Sequence, residues 1–544
     1  MSRMHQVTVS RDMWKVKAID RANHEQYLAR ELRRVKQERD EYKKSAKELA
    51  IEVDRLQQQV NISTIENKVD LIFVSLRLFL VARIGFRAVS RVLNVLSGEL
   101  GLGKSPCTQT VINWVMRLSI CRLQNFPQQS GTQIGGDPFS NGYIWVIDIS
   151  IGLGSGKILT VLALSVRHHQ LGAGAPTLLN VMCVGVCVAD SWTGVDVAAF
   201  LQRIIAVTGR PAAFLKDGGK ELGKAVDVLE SKGFPSLQID DISHVVANIL
   251  KHEYADHPCF DSFLTCCGTA AKKLKQTVLG CLAPPKVSVK ARFMNLHRLV
   301  RWADRLLAHS LIGRSKEGSL MAKLRAGMND LPQHKAFIRN FLRDATPLLQ
   351  CQKILKTEGL TKSGWEQCNE AINSIPPTSP IRAEFSAWGA KHLAIADALC
   401  SDGIGLPVCS DIIESMYAVG KEHGTGEIMD ANRIAMRLPA MCGAVTRDDA
   451  LRVANTSVRD QEKLTQHISS LTHQRRSTLS HPGSLEQLKD DKNKHIEMIP
   501  RAGNPAKTAD IHDISKTYRK DSCPVKPKQH QTITLTEEEY AAVV

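Results

Sequence analysis

The 544-residue sequence predicts a multidomain α+β protein. Three observations predict it. A charged heptad helix and a three-helix stretch come first. The period switches to that of strands at Gly142, and it returns to helical from about Ala255 onward. Apolar residues make up 43% of the chain and charged residues 23%, the balance of a globular protein with a sizeable core. The length suggests about three to four structural units.

The first unit is assigned to residues 1–65. Leu28, Val35, Tyr42, Leu49 and Leu56 recur every seven residues, and Leu32, Ala46, Val53 and Val60 fill a second seam with Arg39 as its polar member. Two apolar seams with charged flanks predict a coiled-coil dimerisation helix, because such a surface buries little without a partner. Residues 66–125 read as helix, loop, helix. Ser105 is placed as an N-cap with Pro106 in the first turn of the last helix. The polar face of that helix, Thr108, Gln109, Asn113 and Arg117, suits a helix-turn-helix recognition element, while Trp114 packs inside; a plain helical bundle is the alternative.

Residues 140–254 carry strand period and then alternate. "YIWVIDIS", "KILTVLALSV" and "LLNVMCVGVCVAD" read as three strands joined by tight turns. Helix, strand "AAFLKD", helix, strand "SLQID" and the helix "SHVVANILKHEY" follow, which indicates a mixed sheet covered by helices. Residues 255–403 are almost wholly helical in pattern, with Trp302, Trp365 and Trp388 expected in the core. Residues 404–445 contain "CSDIIESMYAVGKE". Residues 446–544 read as a helical run and then a basic, proline-containing tail without structure.

The charge balance narrows the partners. Lys and Arg number 71 against 55 Asp and Glu, a net +16 that suits a polyanion such as nucleic acid. The opening residues lack an apolar stretch of signal-peptide type. The most apolar run, Leu71 to Phe86, is broken by Arg77 and Arg83 and is too short to span a bilayer, so no membrane role is expected. Fourteen cysteines without a C-x-x-C pair read as reduced cytoplasmic thiols, with neither a disulfide framework nor a zinc module.

"GELGLGKS" (Gly98–Ser105) matches the phosphate-cradling pattern G-x-x-x-x-G-K-[ST]. That loop needs a buried strand before it and a helix directly after Lys-Ser. The spacing here is helical before it and Pro106 follows at once, so a connector between helices is the preferred reading over nucleotide binding. The carboxylates say more. Asp148 is the lone charge in the middle of an otherwise apolar strand, which is costly unless it is paired or metal-bound. Asp217 ends a strand before two glycines, where active groups gather in parallel sheets. Convergent carboxylates bind hard cations through oxygen, and two such ions serve phosphodiester chemistry.

On these residues the chain resembles the DDE transposases of bacterial insertion sequences. The element order is similar to a ribonuclease-H-like sheet interrupted by an all-helical insertion domain. "WVIDIS" and "FLKDGGKEL" look like the first two acidic motifs, and "CSDIIES" is similar to the third. Glu414 and Lys421 match E-x6-K of the family pattern Y-x2-R-x3-E-x6-K, while Pro407 and Ser410 stand at its tyrosine and arginine places. The resemblance implies Asp148, Asp217 and Glu414 as catalytic ligands of two Mg²⁺ or Mn²⁺ ions. It implies Lys421 as a phosphate contact. Asp241 and His244 are auxiliary groups by the same resemblance, or else simply a helix cap. It implies double-stranded DNA, both element ends and target, as partner. A homodimer or larger homo-oligomer in a bacterial, nucleoid-associated setting goes with it. The function so read is binding of terminal inverted repeats with metal-dependent hydrolysis and strand transfer. The alternative is a non-catalytic coiled-coil, helix-turn-helix regulator.

Overall fold

A computed structural model describes residues 31–42, 67–124, 142–287, 292–422, 430–457 and 495–500, with short breaks at 99, 151–155, 170–173, 310–312, 329 and 401–402 and a few isolated positions besides. Most of the expected coiled coil, and most of the basic tail, lie outside the described residues. Residues 31–42 are helical, and the seam residues Leu32, Val35 and Tyr42 stand exposed on that helix.

Among the described residues, six strands form one mixed sheet. β1 (Tyr143–Ile149), β2 (Lys157–Ser165) and β3 (Val181–Ala189) pair antiparallel, as tight turns permit. β4 (Ala213–Lys216) and β5 (Leu237–Asp240) run parallel to β1, each reached through a helix. The strand order is β5-β4-β1-β2-β3-β6. The sixth strand, β6 (Glu497–Met498), corrects the expectation of a structureless tail at residues 495–500. It pairs with the open edge of β3, and Val188 N–H donates to Ile496 O at 3.0 Å. Sequence period alone does not report such a strand, because two residues carry no periodicity.

Helices cover both faces. α1 (Lys68–Leu80), α2 (Phe86–Val95) and α3 (Thr108–Gln124) precede the sheet. α4 (Gly194–Thr208) and α5 (Lys220–Ser231) pack on the face that carries Trp145, Ile147 and Phe214. Thr193 caps α4 through a reciprocal capping box with Asp196, and Gly209 ends it at φ 81°, a conformation glycine adopts without strain. α6 (Ile242–Tyr254) covers the opposite face, with Ile144, Val146, Leu215 and Ile239 beneath it. α7 (Phe260–Leu274), α8 (Arg292–Leu307), α9 (Leu320–Gly327), α10 (Lys335–Glu358), α11 (Lys362–Ile372) and α12 (Pro380–Leu399) form the helical block, and its core is continuous with that face of the sheet. α13 (Asp411–Glu422) and α14 (Ala431–Ala435) return the chain to the sheet. α15 (Arg447–Asn455) instead packs on α1–α3, where Ala450 and Val453 join the core of Phe79, Phe86 and Trp114. No helix among the described residues is long and apolar enough to cross a membrane.

The tryptophans pack as expected. Trp365 and Trp388 are buried and stack with Phe385, and Trp302 donates its indole N–H to Leu282 O at 3.0 Å. The Trp365 ring lies so close over Gly389 that a Cβ there would meet its Cζ2 at 1.9 Å. Replacing a mid-helix glycine by alanine ordinarily stabilises by about 1 kcal/mol. Overpacking against a buried indole costs roughly 1–3 kcal/mol and wins. Gly389→Ala is therefore expected to lower the melting temperature, as thermal denaturation followed by circular dichroism will show.

Candidate functional site

The site is set by strand register. Ile147 pairs with Lys216 across the parallel β1–β4 ladder, so Asp148 and Asp217 follow one residue later on neighbouring strands. Strand neighbours lie roughly 5 Å apart, and in-register side chains share a face. That face is the one under α6, because Val146 and Leu215, two residues earlier, pack there. Asp148 thus stands near the carboxyl end of β1 rather than at the strand centre the sequence suggests. Its Oδ1 accepts the Ile149 N–H at 2.7 Å, and Asp217 Oδ1 accepts the Gly219 N–H at 2.9 Å.

Glu414 reaches the same place from α13. The helix is anchored by Tyr417, one turn on, whose hydroxyl lies 3.0 Å from Asp148 O and 3.1 Å from Ile158 O, sharing one proton between two carbonyls. Lys421 follows Glu414 by two turns and is half-buried in the last turn. Asp241 and His244 arrive from the start of α6. Asp241 is buried and its carboxylate is fully used. Oδ1 accepts the Ser410 N–H at 2.7 Å, and Oδ2 accepts the His244 N–H at 2.9 Å and lies 2.7 Å from His244 Nδ1. The N-cap reading of this pair is therefore correct as far as it goes. It also orients the imidazole, turning Nε2 to within 3.8 Å of Glu414 Oε1.

The electrostatics tie these groups together. Burial, the Asp217 charge and the Glu414 charge push the Asp148 carboxyl up to about 7, against the pull of His244. Burial drags His244 downward, but Asp241, Asp217 and Glu414 outweigh it and hold the imidazolium up to about 9. Burial also raises Glu414, which remains half-exposed. Three carboxylates and one imidazolium leave the cluster short of positive charge. All its acidic donors are oxygens, as a hard divalent cation requires. The three do not all lie within 4.8 Å of one another.

Among the described residues, one other group does bring three ligand atoms within 4.8 Å: Asp241, Cys409 and Asp411. Its chemistry argues against a hard cation. Asp241 is taken up by N–H donors, Asp411 is ion-paired to Lys356 and accepts from Ser243 Oγ at 3.0 Å, and burial with two nearby carboxylates keeps the Cys409 thiol protonated. Tyr417, Ser243 and Lys356 escaped the sequence reading. Tyr417 alone left a trace there, three residues beyond Glu414 on the same helix.

The expected DNA-facing residues divide. Thr108 is half-buried in the first turn of α3, and Gln109 is exposed with its Nε2 donating to Asn113 Oδ1 at 2.9 Å. Asn113 and Arg117 are already engaged, since Gln461 donates to Asn113 Oδ1 at 3.0 Å and accepts from Arg117 Nε at 3.1 Å. The open polar face of α3 is thus shorter than its sequence suggests, because a residue far down the chain folds back onto it. The "GELGLGKS" loop follows a helix, not a strand. Ser105 is not an N-cap: α3 begins at Thr108, and Ser105 Oγ donates to Leu93 O at 3.1 Å. Pro106 accordingly precedes the helix.

One pH dependence follows. A free aspartate loses its proton near 4. Between about pH 4 and 7 the folded chain keeps a proton on Asp148 that the unfolded chain has released, so stability falls as pH rises through that window. Asp148→Asn is expected to remove this fall. In EDTA its melting temperature exceeds that of the natural protein by several degrees above pH 7, and the two converge near pH 4.

No family model matches the chain, and none of the curated proteins matches it. Among solved structures, the chain is similar to the Drosophila P element transposase strand transfer complex at a TM-score of 0.39 and 10% identity, over 72% of this chain and 97% of that one.

Proposed function

We propose that the chain is a DDE-type DNA transposase with a ribonuclease-H-like catalytic sheet, of the kind found in bacterial insertion sequences. The observation that carries this reading is the convergence of Asp148 and Asp217 at the carboxyl ends of β1 and β4 with Glu414 of α13, where burial first and the neighbouring charges of Asp217 and Glu414 next raise Asp148. The strand order, with three antiparallel strands followed by two parallel ones on the far side of β1, agrees with it.

In this reading Asp148, Asp217 and Glu414 would hold two Mg²⁺ ions, which would supply acidification of a water and neutralisation of the leaving oxygen of a phosphodiester. The chain's own groups do the rest. Asp241 fixes the orientation of the His244 ring, and the His244 imidazolium faces Glu414 and the phosphate entering beside it. Lys421 takes a second phosphate. Water forms a new P–O bond and breaks the P–O3′ bond at the element end, leaving a 5′-phosphate on the flank; the freed 3′-hydroxyl then attacks a target phosphorus and displaces the target's own 3′ oxygen, which leaves as a hydroxyl. The helices of 66–125 recognise the terminal repeats through Thr108 and Gln109, the 1–65 segment pairs two copies, and the 255–403 block binds the backbone. Residues 255–330 hold thirteen Lys and Arg against five Asp and Glu, half of the chain's whole excess. Arg298, Arg301 and Arg305 are exposed along one face of α8 and have no ion-pair partner among the described residues.

Cleavage of a labelled element-end duplex in Mg²⁺ or Mn²⁺ tests the chemistry. Glu414→Gln and Asp217→Asn should each bind the duplex normally and cut it at least about 100-fold more slowly. Equal cutting by both would remove the active site from consideration, and full biological activity of Asp217→Asn would favour the regulator. The backbone contact is tested separately. Each lost phosphate contact lowers the slope of log affinity against log salt by about 0.9 on duplex DNA. Replacing Arg298, Arg301 and Arg305 together by Gln is expected to reduce that slope by roughly 2–3, equally on specific and random duplexes, as anisotropy titrations at several salt concentrations will report.

A further inference from the structure

Two segments present groups to the candidate site from outside the sheet. The β5–α6 junction presents His244, and the start of α13 presents Glu414. Both are held by the helical block. At the junction, Lys391 Nζ of α12 lies 2.7 Å from Asp240 Oδ2, and His392 Nε2 accepts the Asp240 N–H at 2.9 Å. Trp388 Nε1 donates to Asp240 O at 3.2 Å, and Lys216 Nζ of β4 closes the cluster at 3.0 Å from Asp240 Oδ1. At α13, Lys356 of α10 is ion-paired with Asp411, the first residue of the helix. Ser243 Oγ donates to Asp411 Oδ1 at 3.0 Å, and Gln352 Nε2, one turn before Lys356, donates to Ser243 Oγ at 3.0 Å.

Lys356 occupies the decisive place in this network. Asp241 accepts from the Ser410 backbone, and Asp411 follows at once, so two carboxylates crowd the entry to α13 while Glu414 sits one turn further on. Residues three apart on a helix share a face. Whatever fixes Asp411 therefore fixes Glu414. Lys356 is mostly buried, and its ammonium balances Asp411 at a point where water does so only partly.

We propose that Lys356 is a positioning residue, through which the helical block sets the place of Glu414 opposite Asp148 and Asp217. The block is then a wall of the active site as well as a DNA-binding surface. This rests on Glu414 being a metal ligand. Groups that orient a ligand typically change metal affinity 10- to 100-fold when removed.

The experiment compares Lys356→Met, Lys356→Arg and Asp411→Asn in the full chain. Mn²⁺ binding without DNA is measured by electron paramagnetic resonance, duplex affinity by anisotropy, and the Mg²⁺ concentration for half-maximal cleavage on the labelled duplex. Lys356→Met should weaken Mn²⁺ binding about 10-fold or more and raise the Mg²⁺ requirement in proportion, with duplex affinity unchanged within about twofold. Lys356→Arg should restore most of the loss, because it keeps the charge. Asp411→Asn, nearly isosteric and able to keep the Ser243 hydrogen bond through its amide oxygen, should weaken Mn²⁺ binding in the same direction even if Lys356→Met fails to fold. Natural Mn²⁺ affinity in both Lys356→Met and Asp411→Asn, or in Asp411→Asn alone where Lys356→Met is unfolded, overturns the positioning role and leaves the transposase reading standing. A natural protein that neither binds Mn²⁺ nor cuts overturns both.

Discussion

The in-register parallel pairing of β1 with β4 places two carboxylates side by side on one face of a sheet, and much of the surrounding structure answers that placement. Neither strand could slip by one residue without sending its apolar set to the wrong face, since Val146 and Leu215 are buried under α6 while Ile147 packs under α4 and α5. The hydrophobic effect thus enforces a like-charge contact. Burial of the aliphatic residues on β1 and β4 contributes far more than the repulsion between the two aspartates costs, because each fully buried Val, Leu or Ile contributes roughly 1.5–3 kcal/mol. The crowding of negative charge at Asp148 is a by-product of core packing, at the carboxyl ends of two interior strands.

Around that pair the chain arranges its remaining polar groups in layers. Asp241 is spent on structure: its carboxylate accepts three N–H bonds from Ser410 and His244 and offers no open oxygen outward. His244 is the outcome, an imidazolium oriented by one acid and aimed at another. Tyr417 performs the equivalent task for Glu414, locking α13 to the carbonyls at the end of β1 and the start of β2. The same cluster of groups therefore joins cap, anchor and candidate ligand. That is why Asp241, close to Cys409 and Asp411 in space, differs from Asp148 in chemistry: its lone pairs are taken.

Contacts between distant parts of the chain give the molecule its unity. Arg122, at the end of α3, donates to the carbonyls of Ala440, Cys442 and Ala444 and pairs with Asp449 at 3.1 Å, so the N-terminal helices are bolted to the segment that follows α13. Arg437 stacks over Phe86 at 4.7 Å across the same junction. β6 closes the free edge of β3, and Arg203 holds it with Glu497 at 2.7 Å, which blunts an edge open to pairing with another chain.

The residues by themselves determined the elements: period-two runs became β1 to β3, the alternation after Thr193 became α4 to α6, and the apolar helical run between Ala255 and Ser401 became the block. They also singled out Asp148 and Asp217, because a charge inside an apolar strand, or before paired glycines at a strand end, is unusual locally; Glu414 was marked only by the likeness of "CSDIIES" to the third acidic motif of the family. What local pattern could not carry was decided by the fold. The assignment of Ser105 failed because its hydroxyl prefers a carbonyl twelve residues back, which no local rule describes. Gln461 covering Asn113 and Arg117, β6 on the sheet edge and Lys356 on Asp411 are all pairings between residues remote in sequence. Secondary structure follows from the spacing of side chains along the chain, whereas which acid is spent on N–H groups and which stays open depends on what other segments the tertiary fold brings against it.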